Sequence, residues 1–286
     1  ISAWYNTPGV YNSVDSIWAC TCKKCSEWCT VMLKSGIEHI YNTDYDFQYR
    51  VIKAILKEVR HIEDNDILEA TLTNLMKSGA FYVIDDKYMI THFSQSITDS
   101  KYGIYYNDIC KYALRLVLPM ILFDGTIGGL IGYTNKNDID PEDNGFIKYL
   151  YPNRIVLNKK RYLYIKPEEY RKAYEEQYIC IVDGLFDQHA LEINGYNACS
   201  LCGSAVTEYH KLYLTPIKHI VIIADNDPAG RKFANSIRKM FPRSIEILQK
   251  NTSDIDDFLK TKQDIKKFND LMCLIKSENF TVNHYL

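Results

Sequence analysis

The sequence predicts an α/β domain with a parallel four-stranded sheet flanked by helices, joined to a mixed α+β N-terminal subdomain. From Tyr178 onward, short apolar segments alternate with helical ones. Wholly apolar strands in such an alternation indicate a parallel sheet that is buried on both faces. Upstream, residues 112–134 are apolar, β-prone and punctuated by glycine. Within them, Leu114–Phe123, the turn Asp124-Gly125 and Ile127–Tyr133 are typical of a β-hairpin.

In the N-terminal part, we expect residues 1–40 to be irregular and to hold a cysteine cluster. Apolar residues at helical spacing predict helices over Phe47–Val59 and Asp66–Lys77. The segments Phe81–Ile84 and Tyr88–Ile90 are interpreted as a second hairpin. These helices and this hairpin fit either a small winged-helix-like unit or a local piece of a larger α+β domain.

The C-terminal part contains four predicted strands and three predicted helices. Gly195 is a stop signal for the first helix, and Asp227 followed by Pro228 is a typical start for the third. The strands are Tyr178–Val182, Ala198–Leu201, Ile220–Ala224 and Ser244–Leu248, and the helices are Phe186–Asn194, Thr207–Leu214 and Pro228 to about Met240.

Charge is unevenly distributed along the chain. The net charge of −2 over 286 residues argues against binding nucleic acid with the whole surface. Between Lys148 and Lys172, however, the chain contains eight basic residues and two glutamates, which give this stretch a local charge of +6. No apolar run is long enough for a transmembrane helix, and the first residues do not form a signal peptide. An odd number of cysteines, nine, then fits reduced thiols and a cytoplasmic location.

Acidic residues follow three of the predicted strands. Asp183 follows the first strand, Asp225 and Asp227 follow the third, and Asp254, Asp256 and Asp257 lie beyond the fourth. The carboxyl ends of parallel strands meet at one edge, where ligands bind, so we expect these acids to converge there. Clustered carboxylates repel one another unless a cation joins them, and Mg²⁺ is held by a few carboxylates together with substrate phosphates.

Each acid also has a simpler interpretation. A single aspartate after a strand is more often a turn or helix N-cap residue, and Asp227 could serve only as the cap of the helix that starts at Pro228. Gly184 would allow a tight backbone turn after Asp183.

Four motifs follow one another in this region: IVDGLFD at 181–187, LCGSAVT at 201–207, ADNDPAGR at 224–231 and SDIDDFL at 253–259. Together they resemble the motifs of Toprim proteins, and of bacterial-type (DnaG-like) DNA primases in particular. Upstream, RLVLPM at 115–120, DGTIGGLIG at 124–132 and KYL at 148–150 resemble further primase segments, so the resemblance covers roughly residues 112–260.

The resemblance implies an RNA polymerase domain that makes short RNA primers on a single-stranded DNA template from ribonucleoside triphosphates. It implies that Asp183, Asp225 and Asp227 are catalytic and bind Mg²⁺ or Mn²⁺, with Asp187, Asp254 and Asp256 as further metal ligands. Candidate phosphate-binding residues are Arg115, Lys148, Lys159, Lys160, Arg161 and Arg231. The cluster 159–161 is as compatible with an ordinary solvated loop, and the tyrosines nearby (Tyr149, Tyr151, Tyr162 and Tyr164) are more typical of packing than of base stacking.

Two positions depart from the family pattern. Asp183 stands where the family usually has glutamate, so its carboxylate reaches less far. Tyr133 stands where the family has an arginine, which removes a phosphate contact or transfers it to Lys136.

The cysteines Cys20, Cys22, Cys25 and Cys29 lie within ten residues. Their spacing fits a compact Zn²⁺ site, the remnant of the zinc ribbon that such primases carry, or free thiols; Cys25 and Cys29 would also share one helix face. We therefore divide the chain into a cysteine segment (1–40), an α+β subdomain with the basic stretch (41–177), a Toprim catalytic subdomain (178–262) and a helical tail (263–286).

Two alternatives to a primase remain open from the sequence. One is another Toprim enzyme, a Mg²⁺-dependent nuclease or a topoisomerase-like fragment. The other is an inactive Toprim module that only binds DNA. A replicative helicase would have to bind in trans, no membrane is implicated, and the richness in Ile, Asn, Lys and Tyr suggests an AT-rich genome such as that of a phage, which would place the protein in the host cytoplasm.

Overall fold

A computed structural model describes residues 23–93, 112–121, 125, 127–134, 148–151, 159–203, 205–248, 254–277 and 284–285. The chain divides into two compact units. The first comprises Ile1–His61, Leu75–Ile121 and Thr126–Asn158, and the second comprises Ile62–Asn74, Leu122–Gly125 and Lys159–Leu286. Among the described helices, none is both long and apolar enough to cross a membrane.

The first unit is an α+β arrangement around a four-stranded antiparallel sheet. Its strands lie in the order β1-β2-β3-β4, and Leu118 of β2 faces Ile131 of β3 across the predicted hairpin. The elements are α1 (Lys23–Ala54), a π-helical turn (Ile55–Val59), α2 (Asn65–Lys77, which lies in the second unit up to Asn74), β1 (Phe81–Val83), α3 (Asp86–Phe93), β2 (Arg115–Ile121), β3 (Ile127–Tyr133) and β4 (Tyr149–Leu150).

Two predictions for this unit are wrong. Residues from Lys23 onward are helical and not irregular, because Leu33, Ile37 and Ile40 bury one face of α1 in the core. The expected hairpin at 81–90 is a strand followed by helix α3. Phe81 pairs with Val117 of β2 instead of with the next segment, and the Asp85 carboxylate accepts the backbone N–H of Tyr88 (2.8 Å) at the start of the helix.

The second unit is built on a parallel sheet with the strand order β6-β5-β7-β8-β9. The four predicted parallel strands are confirmed, and a short fifth strand, His284–Tyr285, adds to β8. The tail is therefore not wholly helical. The elements are a 3₁₀ turn (Lys159–Arg161), α4 (Pro167–Glu176), β5 (Tyr178–Val182), α5 (Leu185–Ile193), β6 (Ala198–Ser200), α6 (Glu208–Leu214), β7 (His219–Ala224), α7 (Pro228–Met240), β8 (Ile245–Leu248), α8 (Ile255–Phe258), α9 (Lys262–Ser277) and β9 (His284–Tyr285).

Successive residues of the central strands pack on opposite faces of this sheet. Cys180 and Val182 face a core completed by α5 and α9, whereas Ile179 and Ile181 face a core completed by α7. Complete burial of one such aliphatic side chain contributes roughly 1.5–3 kcal/mol. Because both faces are covered, a ligand site is expected at the carboxyl edge of the strands.

Candidate metal centre

Three carboxylates come together at the carboxyl edge of the parallel sheet. Asp183 directly follows β5, Asp187 lies in the first turn of α5, and Asp225 directly follows β7. Strands β5 and β7 are hydrogen-bonded neighbours, with Ile181 opposite Ile222. One oxygen from each of the three acids lies within 4.8 Å of the other two, so the group could share one ion.

The environment of this group disfavours the charged form of its acids. Asp187 is only 8% exposed, and its pKa is raised well above the usual value by burial and by the charges of Asp254, Asp256, Asp225 and Asp183. Burial also raises the pKa of Asp183, with the charges of Asp227 and Asp254 adding to it, although backbone hydrogen bonds oppose the shift. A divalent cation would remove this penalty, because it pairs with the charges that otherwise repel one another.

The position of the Asp187 carboxylate requires a residue without a side chain at position 184. The chain bends at residues 183–184 as expected, but the backbone angles of Gly184 (φ −96°, ψ 152°) are open to any residue, so its conformational freedom is not what the position needs. A Cβ at this position would lie 2.1 Å from the Oδ2 of Asp187. On the other side of the strand end, the hydroxyl of Ser200 donates to the backbone carbonyl of Asp183 (2.8 Å) and ties β6 to the same edge.

A second acidic group consists of Asp254, Asp256 and Asp257. Asp254 caps α8 by accepting the backbone N–H of Asp257 (2.7 Å), and Asp257 is ion-paired with Lys260. The backbone N–H of Asp256 donates to the Oδ1 of Asp187 (3.2 Å). The second group is thereby attached to the first, and its charges contribute to the raised pKa of Asp187.

Asp227 is not a member of the first group. Its Oδ1 accepts the backbone N–H of Gly230 (2.6 Å), which makes it the N-cap of α7, the simpler role that the sequence allowed. Gly230 lies against the strand end, because a Cβ there would be 2.1 Å from the backbone oxygen of Asp225. Asp227 still acts on the group at a distance, since its charge contributes to the raised pKa of Asp183.

The candidate phosphate-binding residues occupy different parts of the two units. In the first unit, Arg115 lies on β2, where burial lowers its pKa, and Lys148 is exposed with its Nζ 5.7 Å from the ring centre of Tyr149. In the second unit, Lys159, Lys160 and Arg161 form the 3₁₀ turn, and Arg231 is exposed on α7. The Lys159 side chain lies outside the described residues.

The tyrosines near the basic stretch differ in how deeply they are buried. Tyr164 is 4% exposed and packs edge-on against the His189 ring, so it belongs to the core, whereas Tyr149, Tyr151 and Tyr162 are half-buried. Tyr133, at the position of the family's arginine, is buried and packs against Tyr149, with ring centres 5.3 Å apart. Lys136 lies outside the described residues.

The zinc prediction falls largely outside the described residues. Cys20 and Cys22 precede them, and for Cys25 and Cys29 only the backbone is described, which is helical. Among the described residues, four cysteines take part in no disulfide: Cys180, Cys199 and Cys202, which are buried, and Cys273, which is exposed.

A buried polar network on α5 of the second unit was not predicted from the sequence. The Glu192 carboxylate lies 3.6 Å from the Nζ of Lys166 and 3.5 Å from the Nδ1 of His189, and Asn74 of α2 donates to Glu192 (3.2 Å). Burial opposes ionisation of Glu192, but the hydrogen bond and charge of His189, with Lys166 and Gln188, outweigh it and lower the pKa to about 2. The network fixes the helix that carries Asp187 at its other end.

Comparison with known proteins agrees with this geometry. Residues 180–259, which contain the two acidic groups, match the family described as Toprim-like. This segment is similar to Toprim-like domains. A curated relative, a DNA primase of Rickettsia prowazekii (strain Madrid E), is 28% identical over 180 residues, which are 60% of this chain and 29% of that protein. The chain thus spans less than a third of the length of this relative.

Solved structures extend the likeness beyond the Toprim-like domain. The zinc-binding and RNA polymerase domains of the Aquifex aeolicus primase match with a TM-score of 0.61 and 19% identity, over 90% of this chain and 62% of that one. The RNA polymerase domain of Mycobacterium tuberculosis primase DnaG, in complex with a double-stranded DNA oligomer with a 6-nucleotide overhang, matches with a TM-score of 0.60 and 16% identity, over 85% and 80%. The fold is that of a DnaG-like primase core, as the sequence motifs implied.

Proposed function

We propose that this chain is a primase core that makes short RNA primers on a single-stranded DNA template by metal-dependent nucleotidyl transfer. The observation that carries the proposal is the convergence of Asp183, Asp187 and Asp225 within 4.8 Å at the carboxyl edge of the Toprim-like sheet. The curated primase and the primase structures support it, and the DNA-bound mycobacterial structure supports DNA as the template.

The donor set fits Mg²⁺ or Mn²⁺. All of its ligand atoms are carboxylate oxygens, which these hard cations prefer. Burial and neighbouring negative charge raise the pKa values of Asp183 and Asp187, and a bound cation would favour their ionised forms. When bound, such an ion would favour the deprotonated primer 3′-hydroxyl and neutralise charge on the triphosphate.

Each of the acids has its own task in this proposal. Asp183, Asp187 and Asp225 hold the cation, and Asp187 excludes water from its buried side. Asp254 and Asp256 place further negative charge beside the group and would hold a second ion together with the triphosphate. Asp227 acts as a positioning residue, because its cap on α7 fixes the turn that begins at Asp225.

We further propose that residues 178–262 are the catalytic subdomain and that the basic stretch 148–172, within the α+β subdomain 41–177, binds template and nucleotide. Arg115, Lys148, Lys159, Lys160, Arg161 and Arg231 would contact template or nucleotide phosphates, which predicts binding that weakens steeply with salt. The cysteine segment 1–40 would bind Zn²⁺, and a replicative helicase would be recruited in trans. Synthesis would take place in the cytoplasm of the host cell, on ribonucleoside triphosphates.

One assay tests the proposal against both alternatives. The full chain is incubated with labelled ribonucleotides, a single-stranded template and Mg²⁺ or Mn²⁺. Primer products support a primase, template cleavage supports a nuclease, and template binding without turnover supports an inactive module. The double variant Asp225→Ala/Asp227→Ala should make no product, whereas Asp270→Asn on the exposed face of α9 serves as the matched control and should act like the wild type. Synthesis by the double variant would refute the site.

A further inference from the structure

We propose that Tyr209 and Arg161 form a stacking site for one unpaired base of a single-stranded nucleic acid. The inference rests on the proposed function, since a primase core must hold an unpaired template. It assigns a base contact to the segment that follows β6, the strand whose last residue, Ser200, bonds to the backbone of Asp183.

The two side chains already form a cation–π pair. The guanidinium carbon of Arg161 lies 5.1 Å from the centre of the Tyr209 ring. Both residues are exposed, with Tyr209 46% exposed at the start of α6. An exposed aromatic ring beside a guanidinium plane presents two flat surfaces on which a base can stack, whatever its identity.

Two tethers hold this pair in place. The Thr207 hydroxyl donates to the backbone carbonyl of Lys160 (2.6 Å), and the Nε2 of His210 donates to the carbonyl of Tyr162 (3.1 Å). The Nδ1 of His210 accepts the backbone N–H of Thr207 (3.3 Å), which places the ring proton on Nε2. The carbonyls on either side of Arg161 are thus both tied to the ends of the segment that carries Tyr209.

This anchoring favours binding. Loop and side-chain ordering is a large part of the free energy that opposes association, so a pair that is ordered in the free protein binds with less loss of entropy. Arg161 lies between two backbone carbonyls that are bonded to Thr207, the N-cap of α6, and to His210, and Tyr209 lies between those two residues. The backbone segments that carry the two side chains are therefore held together before any nucleic acid binds.

Charge complementarity points to nucleic acid as the occupant. Two exposed basic residues of the described chain belong to this segment or touch its ring: Lys211 lies on α6, where Glu208 is 3.5 Å away, and Arg161 lies over the Tyr209 ring. The guanidinium of Arg161 attracts backbone phosphates, while the ring and guanidinium offer a surface for the base between them. Phosphate binding depends on positive charge alone, so the exposed aromatic ring indicates that a base is bound as well.

The test measures the dissociation constant of the full chain for a fluorescent oligothymidylate of about a dozen nucleotides, with EDTA present so that catalysis plays no part. Tyr209→Leu should weaken binding about five- to a hundredfold, the range that loss of one stacked base gives. Tyr209→Phe keeps the ring and should bind within about twofold of the wild type. Tyr174→Leu, at an exposed tyrosine of α4 (51% exposed), is the matched control and should also bind like the wild type.

An abasic oligonucleotide of the same length isolates stacking from charge. Tyr209→Leu should bind it as the wild type does, whereas Arg161→Gln should weaken binding to both oligonucleotides and reduce the slope of log Kd against log salt by about one. Equal weakening on both oligonucleotides for Tyr209→Leu, no weakening on either, or a wild type that binds neither would overturn the stacking site.

Failure of the stacking site and failure of the proposed function give different results. If Tyr209→Leu binds like the wild type while the wild type makes primers, the stacking site is wrong and the primase proposal stands. If the wild type shows the stacking pattern but makes no primers, the base contact stands and the primase proposal is wrong.

Discussion

The backbone N–H of Asp256 donates a hydrogen bond to the Oδ1 of Asp187, 3.2 Å away. Residues 69 positions apart in the chain are thereby joined between the first turns of two helices, α5 and α8. The bond orients one oxygen of Asp187 and leaves the carboxylate surrounded by the charges of four other aspartates. The protonation state of Asp187 therefore depends on whether a cation is bound beside it.

We expect Asp187→Asn to lower primer synthesis by about 100-fold or more, since even residues that only support metal ligands contribute roughly 10- to 100-fold. In EDTA the same variant should melt at the same temperature as the wild type or higher, because the substitution removes a buried charge that its neighbours repel. Calorimetry and the primer assay together check both parts. A variant that keeps full synthesis would exclude Asp187 from the site.

Stabilisation by metal should depend on pH. The folded-state pKa values of Asp183 and Asp187 are raised, so in metal-free protein these acids favour the folded state below their unfolded pKa, and that stability is lost as pH rises through the folded pKa. Metal needs the ionised form, so the rise in Tm on adding Mg²⁺ should be large at pH 8 and smaller at pH 5. Melting with and without Mg²⁺ measures it, and a shift independent of pH would contradict the assignment. Asp187→Asn provides the comparison and should show little shift at either pH.

Charge at position 183 should matter more than length. Asp183 already brings an oxygen within 4.8 Å of Asp187 and Asp225, so a longer side chain is not needed to close the group. We expect Asp183→Glu to retain synthesis within about tenfold, and Asp183→Asn to lose about 100-fold. Initial rates of primer formation test this. Higher activity of Asp183→Asn than of Asp183→Glu would show that the shorter acid is not a metal ligand.

Gly230→Ala should displace the start of α7. A Cβ would meet the backbone oxygen of Asp225 at 2.1 Å, so the strand end and the helix must move apart, at a cost of about 1–3 kcal/mol as in other overpacked sites. Chemical denaturation gives the change in unfolding free energy, and primer synthesis should fall with it because Asp225 moves. Lys232→Ala, at an exposed position of the same helix, should change neither quantity appreciably.

The buried network on α5 should stabilise the fold at neutral pH. The pKa of Glu192 is lowered to about 2, so its contribution is present above its unfolded pKa near 4.5 and is lost as pH falls towards 2. A shift of this size corresponds to something on the order of 3 kcal/mol. Glu192→Gln should therefore destabilise the protein at pH 7 and have little effect near pH 2, as urea denaturation at the two pH values would reveal. Equal destabilisation at both would assign the effect to packing instead of charge.

The sequence by itself determined the local structure of the second unit. Apolar strands such as Tyr178–Val182, the stop at Gly195 and the start at Asp227-Pro228 depend on backbone propensity and capping, which act over a few residues. That acids follow the strands was visible for the same reason. Upstream, the hairpin of β2 and β3 was predicted by its turn.

Only the tertiary structure decided which residues meet. Strand Phe81–Val83 pairs with β2 and not with the segment that follows it in the chain. That following segment forms helix α3, which places Tyr88, Met89 and Phe93 in the core. At the sheet edge, three-dimensional packing brings the Asp187 carboxylate close to those of Asp183 and Asp225. It also places the Oδ1 of Asp227 where it accepts the backbone N–H of Gly230 and caps α7. Spacing along the chain cannot separate these two outcomes, because the positions of α5 and α7 depend on the burial of their apolar faces against the whole sheet.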